Sequence, residues 1–166
     1  MDAAELVSAG ETGGVYECAL RLPVPAAIVF AGFTDPQLLV RWMGRNAELA
    51  PRPGGIFRLD YGDGDVAHGA YLEIAPFSRV VFTWGWEGSA DLPPGTSTVI
   101  ITLEPAADGT LVRLVHEGLT GEQEASHADG WNHYLGRLVT AATHGAAAHS
   151  SAPASPSPAA VTSRPR

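Results

Sequence analysis

The clearest hydrophobic pattern lies late in the chain, over residues 120–144. From Trp131 onward, apolar residues recur at intervals of three and four, which is the spacing of one face of an α-helix. Thr120 followed by Gln123 fits a capping box, and acidic residues stand where the first helical turn would be. We therefore predict one amphipathic helix, roughly 35 Å long. Its apolar face contains His127, Trp131, Tyr134, Leu135, Leu138, Val139 and Ala142.

Before this helix, apolar and polar residues mostly alternate, which predicts strands with one buried face. Asp35-Pro36 marks the start of a short helix, because aspartate caps a helix and proline suits its first position. It follows another short helix that begins near Pro25. Strands are predicted over 15–22, 56–61, 66–74, 80–86, 96–104 and 110–117, with a short strand or edge at 45–50.

The predicted order is β-α-α-β-β-β-β-β-β-α, with short turns between successive strands. It indicates an α+β fold in which a curved antiparallel sheet wraps round the long C-terminal helix. Residues 1–14 are expected to be a flexible N-terminal arm and 15–144 the folded domain. Residues 145–166 are rich in Ala, Ser and Pro. They are predicted to be disordered, because they offer too little apolar surface to offset the entropy lost on ordering.

The composition of the chain limits the kinds of partner and the cellular compartment that we expect. The chain has 166 residues, a net charge of -8 and a pI of about 5.1, which argue against a nucleic-acid or anionic-membrane partner. Cys18 is the single cysteine, so an internal disulfide is excluded, and its inward position predicts an inert core thiol. The first residues lack the pattern of a signal peptide, and the sequence shows no membrane-spanning run. A cytoplasmic protein is expected.

Several short motifs, taken in order, carry a family resemblance. They are Trp42-Met43-Gly44, PGGIFR at 53–58, GAYLEIAP at 69–76, RVVFTW at 79–84, Gly109-Thr110, HEGL at 116–119 and Gly130-Trp131. With the order of elements, they resemble the SRPBCC (START-like, birch-pollen-allergen-like) superfamily. Within it, the chain looks most similar to bacterial homologues of the activator of the heat-shock-protein (ninety-kilodalton) ATPase. The resemblance covers about residues 15–142.

This resemblance implies a helix-grip fold with a deep apolar cavity between the sheet and the C-terminal helix. Members of the superfamily include lipid or small-molecule binders, polyketide cyclases, oxygenase subunits and chaperone partners. The fold therefore does not imply one function. We expect this chain to hold one such domain, without the additional partner-binding region of full co-chaperones, which argues against a direct co-chaperone role.

A cavity in this fold would be lined by the inward faces of the strands and of the gripped helix. The alternative for each residue is an ordinary place in the core. Buried tryptophan and histidine also carry polar atoms that need partners, which a ligand or water could supply. The candidate ligand-binding residues are Trp42, Phe57, Leu59, Tyr61, Phe82, Trp84, Trp86, Val112, Leu114, His116, His127, Trp131 and Leu135.

Other chemistry has weaker support in the sequence. His116 and His127 are candidates for general acid–base catalysis, because imidazole titrates near neutrality. With His68 they could bind zinc if all three imidazoles faced inward, but their spacing matches no known signature, so no metal or cofactor is predicted. Asp63 and Asp65, with Asp60, fit a solvated hairpin turn better than a calcium loop.

Three functions remain open from the sequence. The leading hypothesis is a non-catalytic binding protein for a small hydrophobic or aromatic molecule. The second is an enzyme of the cyclase or hydratase kind that uses His116 or His127 as a proton shuttle. The third is a protein-interaction module that uses the loop at 87–95. The protein could be a monomer or a homodimer.

Overall fold

The computed structural model describes residues 5–12 and 14–151, with side chains over 14–142. Within these ranges none of the helices is long and apolar enough to cross a membrane. The strands are β1 (Glu5–Thr12), β2 (Val15–Leu22), β3 (Asn46–Leu49), β4 (Ile56–Asp60), β5 (Val66–Ala75), β6 (Arg79–Trp84), β7 (Ser97–Ala106) and β8 (Gly109–Glu117), and the helices are α1 (Ala26–Thr34), α2 (Pro36–Leu39) and α3 (Gly121–Ser151).

All strands belong to one antiparallel sheet with the order β1-β2-β8-β7-β6-β5-β4-β3. Helix α3 packs along this sheet, and α1 and α2 follow β2 as two short helices. The predicted helix-grip fold is confirmed. Local signals explain the helix starts: the Asp35 carboxylate accepts a hydrogen bond from Gln37 N, and Gln123 Oε1 accepts one from Thr120 N.

Alternation along the central strands builds the core. In β7 the inward residues Val99 and Ile101 are fully buried, and in β8 so are Val112 and Leu114. His116 takes the next inward position of β8 and is 0% exposed. A polar imidazole therefore lies where the strand pattern would place an apolar side chain, and it needs hydrogen-bond partners inside the protein.

The N-terminal segment differs from the predicted flexible arm, because residues 5–12 form strand β1. They pair antiparallel with β2, with Ala9 opposite Cys18. The segment shows no clear alternation of its own. However, β2 would otherwise leave its outer backbone N–H and C=O groups unpaired, and β1 satisfies them.

Strand β5 contains a β-bulge that changes which residues face inward. The register shifts between Tyr71 and Glu73, so Leu72 is the extra residue and is 53% exposed. His68, before the bulge, lies on the outer face, whereas Ile74, after it, packs against the core. Simple alternation would place His68 and Ile74 on the same face, but the inserted residue between them reverses the alternation, so the inward His68 that the zinc hypothesis needs is not observed.

Helix α3 continues beyond the predicted domain end at residue 144 and reaches Ser151. The part of the predicted tail from residue 152 to 166 lies outside the described residues. On the described part of the helix, Ala128, Trp131, Leu135, Leu138 and Ala142 are buried, at the predicted helical spacing.

Candidate functional site

A cavity of about 450 Å³ opens between the β4–β5 turn, the end of β6 and the first half of α3. Its inner part is aromatic, and its rim includes the exposed Asp63 and Asp65 of the turn. The lining residues are Met43, Tyr61, Gly62, Asp63, Asp65, Trp84, Trp86, Ser126, His127, Gly130, Trp131 and Tyr134.

The aromatic rings of the lining form one connected wall. Trp84 is central, with ring centroids 5.5 Å from Trp86 and 5.7 Å from Trp131. Tyr61 continues the wall towards the helix, 5.5 Å from both Trp86 and Tyr134. The inner lining of the cavity is therefore a set of aromatic rings packed on one another, and Trp84 meets Trp86 edge-on.

His116 lies behind this wall, in a chain of hydrogen bonds. Trp131 Nε1 donates to His116 Nδ1 at 2.9 Å, so Nδ1 is unprotonated. His116 Nε2 lies 2.8 Å from Ser97 Oγ, which donates at 2.8 Å to the carbonyl oxygen of Trp84. The hydroxyl proton is thus committed to Trp84, and the Nε2–H of a neutral His116 donates to Ser97. Strand register creates this arrangement, because Trp84 and Ser97 are directly opposed on β6 and β7.

His127 has the opposite tautomer. Trp86 Nε1 donates to His127 Nε2 at 3.1 Å, and Nδ1 lies 2.8 Å from the backbone oxygen of Gln123, one helical turn earlier. The Nδ1–H therefore donates to that carbonyl, and Nε2 accepts. Both nitrogens of each imidazole are engaged with protein groups, and the two rings stand 5.1 Å apart.

Burial keeps both histidines neutral. Burial, and to a smaller extent the neighbouring His127, lowers the pKa of His116 to about 3. Burial also lowers the pKa of His127, although its hydrogen bond to the Gln123 carbonyl acts in the opposite direction. A neutral ring with both nitrogens occupied is poorly suited to carry a proton to or from a substrate at pH 7.

Trp84 carries a polar atom that stands apart from this network. Its side chain lines the cavity but is only 2% exposed. Among the side chains that the structure describes, its Nε1 is the buried nitrogen or oxygen without a hydrogen-bond partner. A buried N–H donor without an acceptor costs about 1–3 kcal/mol, so this atom is an unmet demand inside the protein.

The rim of the cavity is a tight turn with left-handed backbone. Gly62 and Gly64 have φ of 88°, and Asp63 between them has φ of 56°. Aspartate and asparagine tolerate this conformation better than most residues. The Asp60 carboxylate accepts a hydrogen bond from Gly62 N at 2.8 Å and braces the turn. The turn thereby holds Asp63 and Asp65 at the cavity mouth.

The structure divides the predicted ligand-binding residues into two groups. Tyr61, Trp84, Trp86, His127 and Trp131 line the cavity. The remaining ones are buried in the core behind it: Trp42, Phe57, Leu59, Phe82, Val112, Leu114, His116 and Leu135. Trp42 is occupied by a hydrogen bond from its Nε1 to the Gly32 carbonyl at 3.1 Å. Binding by the first group remains a prediction.

Several lining residues were missed by sequence reasoning. Tyr134 had a usable signal, since it follows Trp131 by three residues on the same helix face. Asp63 and Asp65 had none, because their approach to α3 depends on how far the β4–β5 hairpin reaches in space. Met43, Gly62, Ser126 and Gly130 complete the missed set.

The three-histidine zinc hypothesis does not fit the observed positions. His68 Nδ1 lies 2.9 Å from Glu87 Oε2 on the outer face of the sheet, away from His116 and His127. Within the described part of the chain, no group of three or more His, Cys, Asp or Glu side chains could hold a metal ion.

Similar structures support the assignment of the fold. An AHSA1-like protein from Rhizobium etli is 42% identical, with a TM-score of 0.63 over 80% of this chain and 86% of that one. DynU16, a protein in the dynemicin biosynthetic locus, is 25% identical, with a TM-score of 0.68 over 78% of this chain. The match spans 47% of DynU16, about half its length. An Hsp90 activator from Plasmodium falciparum is 24% identical, with a TM-score of 0.63 over 76% of this chain and 94% of that one.

No curated protein matches the chain in sequence. The model of the family described as "Activator of Hsp90 ATPase homolog 1-like protein" matches residues 23–143, which is most of the folded part. The predicted resemblance is therefore confirmed. The chain belongs to the Activator of Hsp90 ATPase homolog 1-like protein family, within the SRPBCC superfamily.

Proposed function

We propose that this protein binds a small, mainly aromatic molecule in the cavity between the β4–β5 turn and α3, without transforming it. The observation that carries the proposal is the buried Nε1 of Trp84, which has no acceptor although its ring lines the cavity. A flat molecule would stack on the aromatic wall, and an acceptor atom on it would satisfy the indole N–H. A cytoplasmic location, and a monomeric or homodimeric state, remain parts of this proposal.

The first test is native mass spectrometry of the protein purified from cells, followed by denaturing extraction and identification of any released molecule. We expect one small, predominantly aromatic compound that carries a hydrogen-bond acceptor, bound at one copy per chain. A bound lipid with a long aliphatic chain would contradict the proposal, because it would not use the aromatic lining of the cavity.

The contribution of Trp84 can be measured with two neutral probes of nearly the same shape, acetophenone and α-methylstyrene. Only acetophenone has an acceptor oxygen. Replacing Trp84→Phe removes the N–H donor, and we expect it to weaken acetophenone binding by about two- to tenfold more than α-methylstyrene binding, which is the range of one net hydrogen bond. Protein-observed NMR titrations report both affinities. Equal losses for the two probes would mean that the indole N–H does not recognise the ligand.

The enzyme alternative has less support. His116 and His127, the residues proposed as proton shuttles, have both ring nitrogens bound to protein groups. Depressed pKa values further limit their use as bases at neutral pH.

The interaction-module alternative also has less support at the loop over 87–95. Leu92 is 4% exposed, so the most apolar residue of the loop is unavailable to a partner. Trp86 N donates to the Leu92 carbonyl, and Gln123 Nε2 donates to the Asp91 carbonyl, which ties the loop to α3. The loop is therefore held against Trp86 and α3 by these hydrogen bonds.

A further inference from the structure

We infer that the ligand of this cavity is an organic cation, whose ammonium group lies at the mouth between the aromatic rings and the carboxylates of Asp63 and Asp65. The inference rests on the proposed function and specifies the chemical class of the molecule. It follows from the charges and ring faces of the lining rather than from the shape of the fold.

The charges of the lining have one sign. Asp63 and Asp65 are exposed at the rim, and the described lining includes no arginine. His127, the one basic group there, is held neutral by its hydrogen bonds and by burial. Arg45 packs against Gly62 of the same turn but does not line the cavity. A cation at the mouth would therefore meet two carboxylates and no competing positive charge in the lining.

The aromatic rings provide a second, independent reason. Tyr61, Trp86 and Tyr134 stand next to one another beside the acidic turn, with neighbouring centroids 5.5 Å apart. The face of an aromatic ring attracts a cation within about 6 Å of its centroid, and several such rings form the cage that recognises alkylammonium groups. Neither the rings nor the carboxylates would favour an anionic ligand.

The unsatisfied Nε1 of Trp84 completes the description of the ligand. An indole N–H repels a cation and attracts an acceptor, so the ammonium group belongs at the mouth and an acceptor atom belongs deeper in the cavity. The structure thus points to an aromatic or otherwise flat amine with an oxygen or nitrogen acceptor at the end opposite to its charge.

Three probes of similar size separate charge from shape. They are benzyltrimethylammonium, its uncharged carbon isostere neopentylbenzene, and the anion phenylacetate. The wild-type protein is titrated with each and followed by NMR. We expect the cation to bind at least tenfold more tightly than phenylacetate, and added sodium chloride to weaken only the binding of the cation.

The decisive comparison uses a charge-neutralised turn. In Asp63→Asn/Asp65→Asn, asparagine preserves the left-handed turn, and we expect the cation to lose about fivefold to twentyfold in affinity. Binding of neopentylbenzene should change less than twofold. The control Glu17→Gln/Asp108→Asn makes the same change in net charge at exposed positions outside the lining, and should leave the affinity for all three probes within twofold. Tyr134→Leu should weaken the binding of benzyltrimethylammonium but not that of neopentylbenzene.

The other outcomes overturn the inference. If neopentylbenzene binds and the cation does not, or if the asparagine variant and the control affect the cation equally, the site is an apolar cavity. The proposed function then stands without the charge requirement. If no probe binds, the cationic assignment fails, and the proposed function is decided separately by the molecule that co-purifies with the protein.

Discussion

Lowering the pH from 7.5 to 5 should reduce the free energy of unfolding by about 2 kcal/mol through His116 alone. The folded protein holds the pKa of this imidazole at about 3, whereas an unfolded histidine titrates near its ordinary value of about 6.5. Between these two pKa values the unfolded chain binds one more proton than the folded chain. The contribution of His116 to the free energy of unfolding is therefore present above about pH 6.5 and is lost as the pH falls towards 3. Each pH unit in this window costs about 1.4 kcal/mol.

Protonation also acts directly on the hydrogen-bond chain. A proton on Nδ1 of His116 would face the indole N–H of Trp131, which needs that nitrogen as its acceptor. His127 contributes in the same direction, because burial lowers its pKa as well. The measured loss should therefore equal or exceed the loss expected from His116 alone.

Urea denaturation at pH 7.5, 6.5, 5.75 and 5 measures this dependence above the range in which most carboxylates titrate. His116→Gln keeps a donor and an acceptor but takes up no proton there, so its stability should depend much less on pH than that of the wild type. The exposed His133→Gln serves as the control and should retain the full dependence. A wild-type stability that is constant from pH 7.5 to 5 would mean that His116 is not held neutral by the fold.

The fold could be predicted because it depends on signals that are local in sequence. Alternation marks the strands, Asp35-Pro36 marks the second short helix, and the spacing from Trp131 onward marks the long one. The prediction failed where geometry departs from simple alternation. Because of a single extra residue at Leu72, His68 and Ile74 face opposite sides of the sheet, although simple alternation would place them together, and nothing in the sequence of β5 signals a bulge.

The site was only partly predictable for a different reason. The sequence shows that buried tryptophans and histidines need partners, but those partners come from distant elements. Ser97 meets His116 across the sheet, and Trp131 reaches it from the helix. The acidic turn joins the cavity only because the β4–β5 hairpin extends alongside α3, a relation that depends on strand length, twist and packing together.

Replacing Trp131→Ala should lower the free energy of unfolding by about 3–5 kcal/mol, the largest effect expected of a single substitution here. Trp131 is 2% exposed and packs against Trp84 and His116. Its removal takes away a large buried ring and leaves His116 Nδ1 without its donor. The neighbouring cavity would grow into the vacated space, so the surrounding side chains would recover few of the lost contacts.

A second substitution separates packing from hydrogen bonding. Trp131→Phe keeps most of the apolar contact but removes the indole N–H, so it should cost less than Trp131→Ala. The pKa of His116 should also rise, because the neutral form loses the donor that favours it. Arg137→Ala, on the exposed side of the same helix, is the control and should stay within about 0.5 kcal/mol of the wild type. The midpoints of urea denaturation, compared at unchanged m-values, measure the stability of all three variants. If Trp131→Ala unfolds at the wild-type midpoint, Trp131 does not join the helix to the sheet, and the hydrogen-bond chain through His116 cannot stabilise the fold.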